Sequence, residues 1–284
     1  MNDKQDAVLV SGAAKGIGRA CVLRLARAGW RVYAGVRTAA DGDALVAAAE
    51  GTVVPVALEV TDQAAVLRAA EFVRGDLRGA QLRGIVNNAG IAVAGPLEFL
   101  PLSELRRQLE VNVIGQVAVA QAFLPLLRAE RGRIINIGSI AGKSALPMTG
   151  PYSASKFALE AITDSLRVEL MPAGVDVIII EPGVIATPIW QTSIAAADRL
   201  MASLPPQMET HYGRVIRAVR RRASNGAVKG LPADAVARVV ERALRARKPR
   251  TRYVVGKDAR LRKILQLLPD RLRDRIIARQ LARM

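Results

Sequence analysis

The stretch AVLVSGAAKGIG, residues 7–18, decides the fold. Its four apolar residues have the length and β-branched content of a buried strand, and a segment of helical period, 17–28, follows and closes at Gly29. Between them Ser11, Gly12, Lys15, Gly16, Ile17 and Gly18 form a strand-to-helix turn. Glycine in such a turn permits positive φ and lets the backbone approach a pyrophosphate. The helix N-terminus beyond offers unpaired N–H groups to the same anion. The spacing is G-x-x-x-G-x-G rather than the G-x-G-x-x-G of the general dinucleotide fingerprint. A tight turn of this kind also serves ordinary α/β proteins; its place at the first strand–helix junction points to a nucleotide.

Outward from this turn the pattern repeats. Short apolar runs at 7–10, 31–36, 52–58, 84–90, 133–138 and 175–180 alternate with helical stretches at 17–28, 39–50, 62–78, 103–128 and 152–172. Strands of this length, apolar throughout, fit a parallel sheet covered on both faces. The alternation predicts a doubly wound α/β fold with right-handed crossovers. The polar, mixed segment 188–230, with Pro205, Pro206 and several methionines, reads as a long irregular substrate loop or lid. The expected division is a catalytic domain over 1–256 and a basic amphipathic extension over 257–284.

Of the 284 residues, 51% are apolar, too many for a disordered chain and enough for a large core. A single cysteine, Cys21, excludes a disulfide framework or a thiolate metal cluster and suits a reducing compartment. The first ten residues, MNDKQDAVLV, do not read as a signal peptide, and no uninterrupted apolar run approaches the ~18 residues of a membrane span. A soluble cytoplasmic protein is expected. The net charge of +17 is entirely local: residues 1–210 carry 20 basic and 20 acidic side chains, residues 211–284 carry 22 and 5. A neutral body therefore bears a basic C-terminal part. With aromatics at 4% and no recognisable module, that charge gives little reason to expect nucleic-acid binding. His211 and Cys21 stand alone, and no metal site is expected.

The second strand ends at Val36-Arg37, and no acid follows before Asp41. A carboxylate at that end would bind a ribose 2′-OH and repel a 2′-phosphate, whereas a guanidinium grips the phosphate bidentately. Lys15 adds a second cation. These residues favour NADPH over NADH, although either cation alone also fits an ordinary solvated surface.

Tyr152-Ser-Ala-Ser-Lys156 opens a helix after Pro151. The i, i+4 spacing brings phenol and amine to one face. A phenol with a pKa of ~10 is a poor base at neutral pH, and a nearby ammonium favours the phenolate. Ser139 ends the strand 133–138, at the carboxyl edge where open α/β sheets hold their ligands. Asn87-Asn88-Ala89-Gly90 ends the preceding strand, and Asn112 interrupts a largely apolar helix, where its amide requires a partner.

Together these residues, with Pro182-Gly183 and Thr187 downstream, resemble the short-chain dehydrogenase/reductases in order and spacing from residue 7 to about 190. The resemblance implies a seven-stranded parallel sheet and a Ser-Tyr-Lys-Asn mechanism. Tyr152 would be the acid/base, Ser139 would orient the substrate oxygen, and Lys156 would lower the tyrosine pKa and bond the nicotinamide ribose. Asn112 would hold a water that passes protons on to solvent. Asn88 would lie near the adenosine ribose and the loop backbone, Glu59 at the adenine, and Pro182, Gly183, Val184 and Thr187 at the carboxamide, with Val60, Ala89 and Gly90 also binding the cofactor. Ser11 and Glu59 replace the family's usual threonine and aspartate but keep the functional group.

Arg252-Tyr-Val-Val-Gly-Lys-Asp-Ala259, followed by Leu268-Pro269, is similar to the retinol and hydroxysteroid dehydrogenase branch. That implies a bulky apolar alcohol, ketone or aldehyde, which suits Ile189, Trp190, Leu200, Met201, Leu204 and Met208, with Trp190 as a substrate residue. The same side chains also suit simple packing of the loop. In the extension Leu261, Ile264, Leu265 and Leu268 recur at helical spacing among arginines, and Leu272, Ile276 and Leu281 continue the stripe. Such a helix fits an anionic membrane surface, or docking on the body or another subunit. A homodimer or homotetramer is implied by the family. The competing readings are a 3-oxoacyl-carrier-protein reductase and an NADPH-sensing regulatory protein.

Overall fold

A computed structural model describes residues 5–282. The reading of the first ten residues therefore falls partly outside the described residues, as do the last two residues of the extension.

The chain runs β1 (Asp6–Val10), α1 (Gly16–Arg27), β2 (Arg31–Val36), α2 (Ala39–Ala48), β3 (Val53–Ala57), α3 (Gln63–Asp76) and β4 (Gln81–Asn87). It continues through α4 (Leu102–Leu109), a π-helical turn (Glu110–Ile114), α5 (Gly115–Glu130), β5 (Arg133–Ile137), α6 (Gly150–Glu169) and β6 (Asp176–Pro182). Then follow β7 (Ile185–Ala186), α7 (Ile189–Ala202), α8 (Gln207–Lys229), β8 (Leu231–Pro232), α9 (Asp234–Arg245), β9 (Arg252–Val255), α10 (Lys257–Leu265) and α11 (Asp270–Ala282). Seven parallel strands form one sheet in the order β3-β2-β1-β4-β5-β6-β9. The order reverses between β1 and β4, and such a reversal opens a crevice at the carboxyl ends of the strands.

The two-residue period of β1 explains why its run is apolar throughout. Val8 and Val10 enter the core shared with Cys21, Val22 and Leu25 of α1 and Val236, Val240 and Leu244 of α9. Ala7 and Leu9 face the opposite core, where Val66 and Val73 of α3 meet Phe123 and Leu127 of α5. Burying a side chain such as Phe123 contributes roughly 1.5–3 kcal/mol. Arg24 joins α1 to α9 through Asp234 at 2.7 Å and Glu241 at 3.2 Å.

Two expectations are corrected. The segment 188–230 is no irregular loop: α7 and α8 occupy nearly all of it. Each helix follows a proline at its N-cap, Pro188 or Pro206, so the Pro206 that suggested an irregular segment marks a helix start. The stretch 103–128 is no continuous α-helix either, because five residues around Asn112 adopt the π form. The composite helix Leu102–Glu130 is long and apolar enough to cross a membrane by length and composition. Here its buried side chains Val119, Phe123 and Leu127 pack on the sheet.

The extension folds as α10 and α11. Ala259 of α10 is fully buried, and α11 packs on α8.

Candidate active site

One cleft of about 950 Å³ lies over the carboxyl ends of the strands, from the glycine turn to the C-terminal helices. Gly12 and Gly16 adopt φ of +62° and +56°. A Cβ on Gly12 would stand 2.8 Å from Ala89 Cα, and one on Gly18 would stand 2.2 Å from Gly12 O, so the turn admits no side chain at either place. Lys15, the N-cap of α1, makes no side-chain cap bond, and the first turn of the helix carries no acid. By contrast, Thr38 and Asp62 cap α2 and α3. The open N-terminus of α1 beside a cradle that a Cβ would fill suits a phosphate group.

Ser11 and Gly18 stand behind this wall rather than on it. Ser11 Oγ accepts from the N–H groups of Asn88 at 3.0 Å and Ala89 at 3.1 Å. Asn88 Nδ2 returns bonds to the Ser11 and Gly12 carbonyls, both at 3.0 Å. The end of β4 therefore fixes the glycine turn. At the β2 edge, Arg37 is 78% exposed and its Nη1 lies 3.9 Å from Glu59, whose other oxygen accepts from Thr61. Val60 and Asp41 line the same edge. These residues fit a nicotinamide dinucleotide whose phosphates lie on the turn. Lys15, Arg37, Glu59 and Asn88 would hold its adenosine end.

At the opposite end, Tyr152 on the first turn of α6 and Ser139, which follows β5, both line the cleft, close enough for the serine hydroxyl to act on the phenol. Ser139 Oγ also accepts from Ala141 N–H at 3.1 Å. Lys156 is buried, and its Nζ donates to the Ile137 carbonyl at 2.7 Å, 5.9 Å from the Tyr152 ring centroid. Burial pushes the tyrosine phenol above its ordinary value, while Ser139 and the Arg262 guanidinium pull it down. A hydroxyl and an arginine of α10 thus act on the phenol in addition to the Lys156 ammonium over its ring. Burial lowers the lysine itself to about 8, opposed by Glu160.

Asn112 is fully buried, and both of its amide hydrogens are committed. Its Oδ1 accepts from Ile91 N–H at 2.9 Å, and its Nδ2 donates to Ile91 O at 3.0 Å and Ser155 Oγ at 3.1 Å. Gln108, one turn earlier, repeats the device on Val93 N–H and Ile91 O. The two amides pin the segment after β4 against α6, and the π form beside them is a common mark of functional sites.

Gly183, Val184 and Thr187 line the cleft beside Pro182, and Thr187 faces Gly16, so the β6 end meets the glycine turn. Trp190 lines the cleft but donates Nε1 to Ile185 O at 2.7 Å and packs on Gly226. Ile189 and Met201 line it too, whereas Leu200, Leu204 and Met208 are not among its lining residues.

The sequence reading missed Gln108, Arg222 and Arg262. A glutamine on a helix facing the core was a usable signal for the first; the arginines lay hidden in a basic segment.

A family model described as short chain dehydrogenase matches residues 6–198. The NADPH-dependent 3-dehydrocapnine reductase of Ornithobacterium rhinotracheale is 36% identical over 282 residues, 97% of each chain. Retinol dehydrogenase 5 of Mus musculus is 36% identical over 280 residues, covering 95% of this chain and 87% of its own. Among solved structures, a short chain dehydrogenase from Burkholderia cenocepacia in complex with NADP superposes with a TM-score of 0.71 at 28% identity, over 99% of both chains.

Proposed function

The chain belongs to the short-chain dehydrogenase family and is an oxidoreductase of CH–OH groups, and on that premise we propose that it uses NADPH and acts on a hydrophobic alcohol or carbonyl compound. The observation that carries this reading is the Ser139–Tyr152 pair at one end of a cleft whose other end is the glycine turn. When bound, the dinucleotide supplies or accepts the hydride.

The residues of the chain provide positioning and proton handling. Tyr152 gives its proton to the carbonyl oxygen in reduction and takes it from the alcohol in oxidation. Ser139 donates a second hydrogen bond to the same oxygen. Lys156 keeps a cation near the phenol below about pH 8 and is the group to bond the nicotinamide ribose. Asn112 positions the wall after β4. Arg37 and Lys15 favour the 2′-phosphate.

Apolar side chains at the α7 end, Leu146, Met148, Ile189, Ile194 and Met201, support a bulky apolar substrate. Exposed Leu261, Ile264, Leu267 and Leu272 among the arginines of the extension support a peripheral site on an anionic membrane. Exposed Ile114, at the end of the π-helical turn, and Phe157 of α6 support a homodimer or homotetramer.

The test is Tyr152→Phe, with turnover of a panel of steroids, retinoids and long-chain ketones followed by NADPH absorbance. Turnover is expected to fall at least about a hundredfold, the scale of a lost general acid, with NADPH affinity within a few-fold. Unchanged turnover would overturn the assignment.

A further inference from the structure

α10 is fastened to the active site by one carboxylate. Asp258 accepts from the Val184 N–H at 2.8 Å, directly after Gly183, where a Cβ would stand 2.3 Å from the same carboxylate. Arg262 lies four residues on, on the same helix face. Its guanidinium therefore enters the cleft beside Tyr152 rather than solvent, and one Nη donates to Ser144 O. Its Nε is buried and has no hydrogen-bond partner. Arg222 of α8 lines the same cleft, near enough for its charge to act on Arg262. Among the described residues neither Arg222 nor Arg262 has a carboxylate within ion-pair distance, whereas the neighbouring Arg220 is held by Asp198 at 2.9 Å.

Two half-buried guanidiniums facing one cavity repel each other and carry a desolvation cost, and an anion between them offsets both. Burial and the charge of Arg222 hold Arg262 down at about 10, while Asp258 and Tyr152 pull it up. Arg262 remains charged at neutral pH.

We infer that Arg222 and Arg262 form an oxyanion-binding subsite for the substrate, so that this enzyme prefers amphiphiles bearing a carboxylate or sulfonate a few bonds from the reacting carbon. The subsite rests on the oxidoreductase reading above and narrows its substrate class. The anion would sit at the α10 end, the reacting carbon at Tyr152, and the alkyl chain along Leu146, Met148, Ile189 and Met201.

The experiment uses the full chain and two probes of equal length, 3-oxododecanoate and its methyl ester, reduced with NADPH. A charge-assisted contact contributes about 1.5–3 kcal/mol, so kcat/KM is expected to favour the acid by about 10–150-fold, mainly through KM. Arg262→Leu is expected to bring that ratio close to one, Arg262→Lys to retain part of it, and Arg222→Leu to lower it. Thermal unfolding of each variant is measured alongside. Calorimetric binding of decane-1-sulfonate to the enzyme gives a readout independent of turnover, and Arg262→Leu is expected to weaken it to the same degree.

Equal use of acid and ester by the wild type would overturn the inference. So would an equal loss for both probes in Arg262→Leu, or a loss of NADPH affinity in place of discrimination. If neither probe nor any ketone is turned over, the oxidoreductase reading fails, and sulfonate binding still decides the subsite: dependence on Arg262 supports it, and no binding refutes it.

Discussion

Replacing Gly18 by alanine tests the phosphate-binding assignment at a single atom. The added Cβ would stand 2.2 Å from Gly12 O and 2.6 Å from Asn88 Nδ2, where ordinary contact begins near 3.4 Å. The deficit of about 1.2 Å cannot be absorbed by a flexible side chain, because the nearest atom is backbone and accepts a hydrogen bond from Asn88. The turn must move away from the α1 N-terminus. Overpacking of this kind costs about 1–3 kcal/mol of stability. Displacing two N–H donors from a phosphate costs a further 1.5–3 kcal/mol each, or about 10²–10⁴ in dinucleotide affinity. Calorimetric titration with NADPH measures the affinity, and urea unfolding measures the fold. Gly75→Ala is the control: a Cβ there meets nothing within 4 Å, the residue is exposed on α3, and alanine is favoured by up to about 1 kcal/mol. Its affinity is expected to match wild type. If Gly18→Ala binds NADPH within threefold of wild type on a folded protein, the turn is not the phosphate cradle.

Arg37→Asp is expected to weaken NADPH by about 10–150-fold, one lost charge-assisted contact, and leave NADH within a few-fold. NADPH preference unchanged in paired titrations would remove Arg37 from the 2′-phosphate site. Asn112→Leu takes a fully buried amide from Ile91 N–H, Ile91 O and Ser155 Oγ. With orphaned groups at about 1–3 kcal/mol each, urea unfolding is expected to show a loss of on the order of 3 kcal/mol. A loss below about 0.5 kcal/mol would mean that the segment after β4 is held by other contacts.

The parallel sheet was legible because both faces are covered, so every central strand is a plain apolar run, and β2 was read to the residue. Tyr152, Ser139 and the glycine turn stood out because they occupy short spacings at strand and helix ends, and the folded chain brings them to one cleft. The segment 188–230 was misjudged because the helical character of α8 rests on an amphipathic face of which few residues are deeply buried. Its arginines and glycines mask the period. The π form around Asn112 leaves no local signature, since it arises where a long helix yields to the Ile91 and Ser155 contacts.

The electrostatics of the tyrosine divide along the same line between local and non-local. A sequence places Lys156 four residues from Tyr152 and invites the conclusion that this cation sets the phenol. Once the chain is folded, the ammonium over the ring donates to the Ile137 carbonyl, and a second cation acting on the phenol comes from 110 residues downstream. Helical spacing fixes which faces two residues share, whereas a side chain's direction depends on the acceptors that tertiary structure offers. The Ile137 carbonyl belongs to β5, and Asp258, which aims Arg262, is held by the turn after β6. The basic segment that looked like an appendage thus contributes Arg262 to the cleft wall, where its charge bears on the Tyr152 phenol. Deleting residues from 257 onward would remove Arg262 and the Asp258 anchor together, so such a truncation cannot separate membrane attachment from catalysis, whereas single substitutions at exposed Leu261 and at Arg262 can.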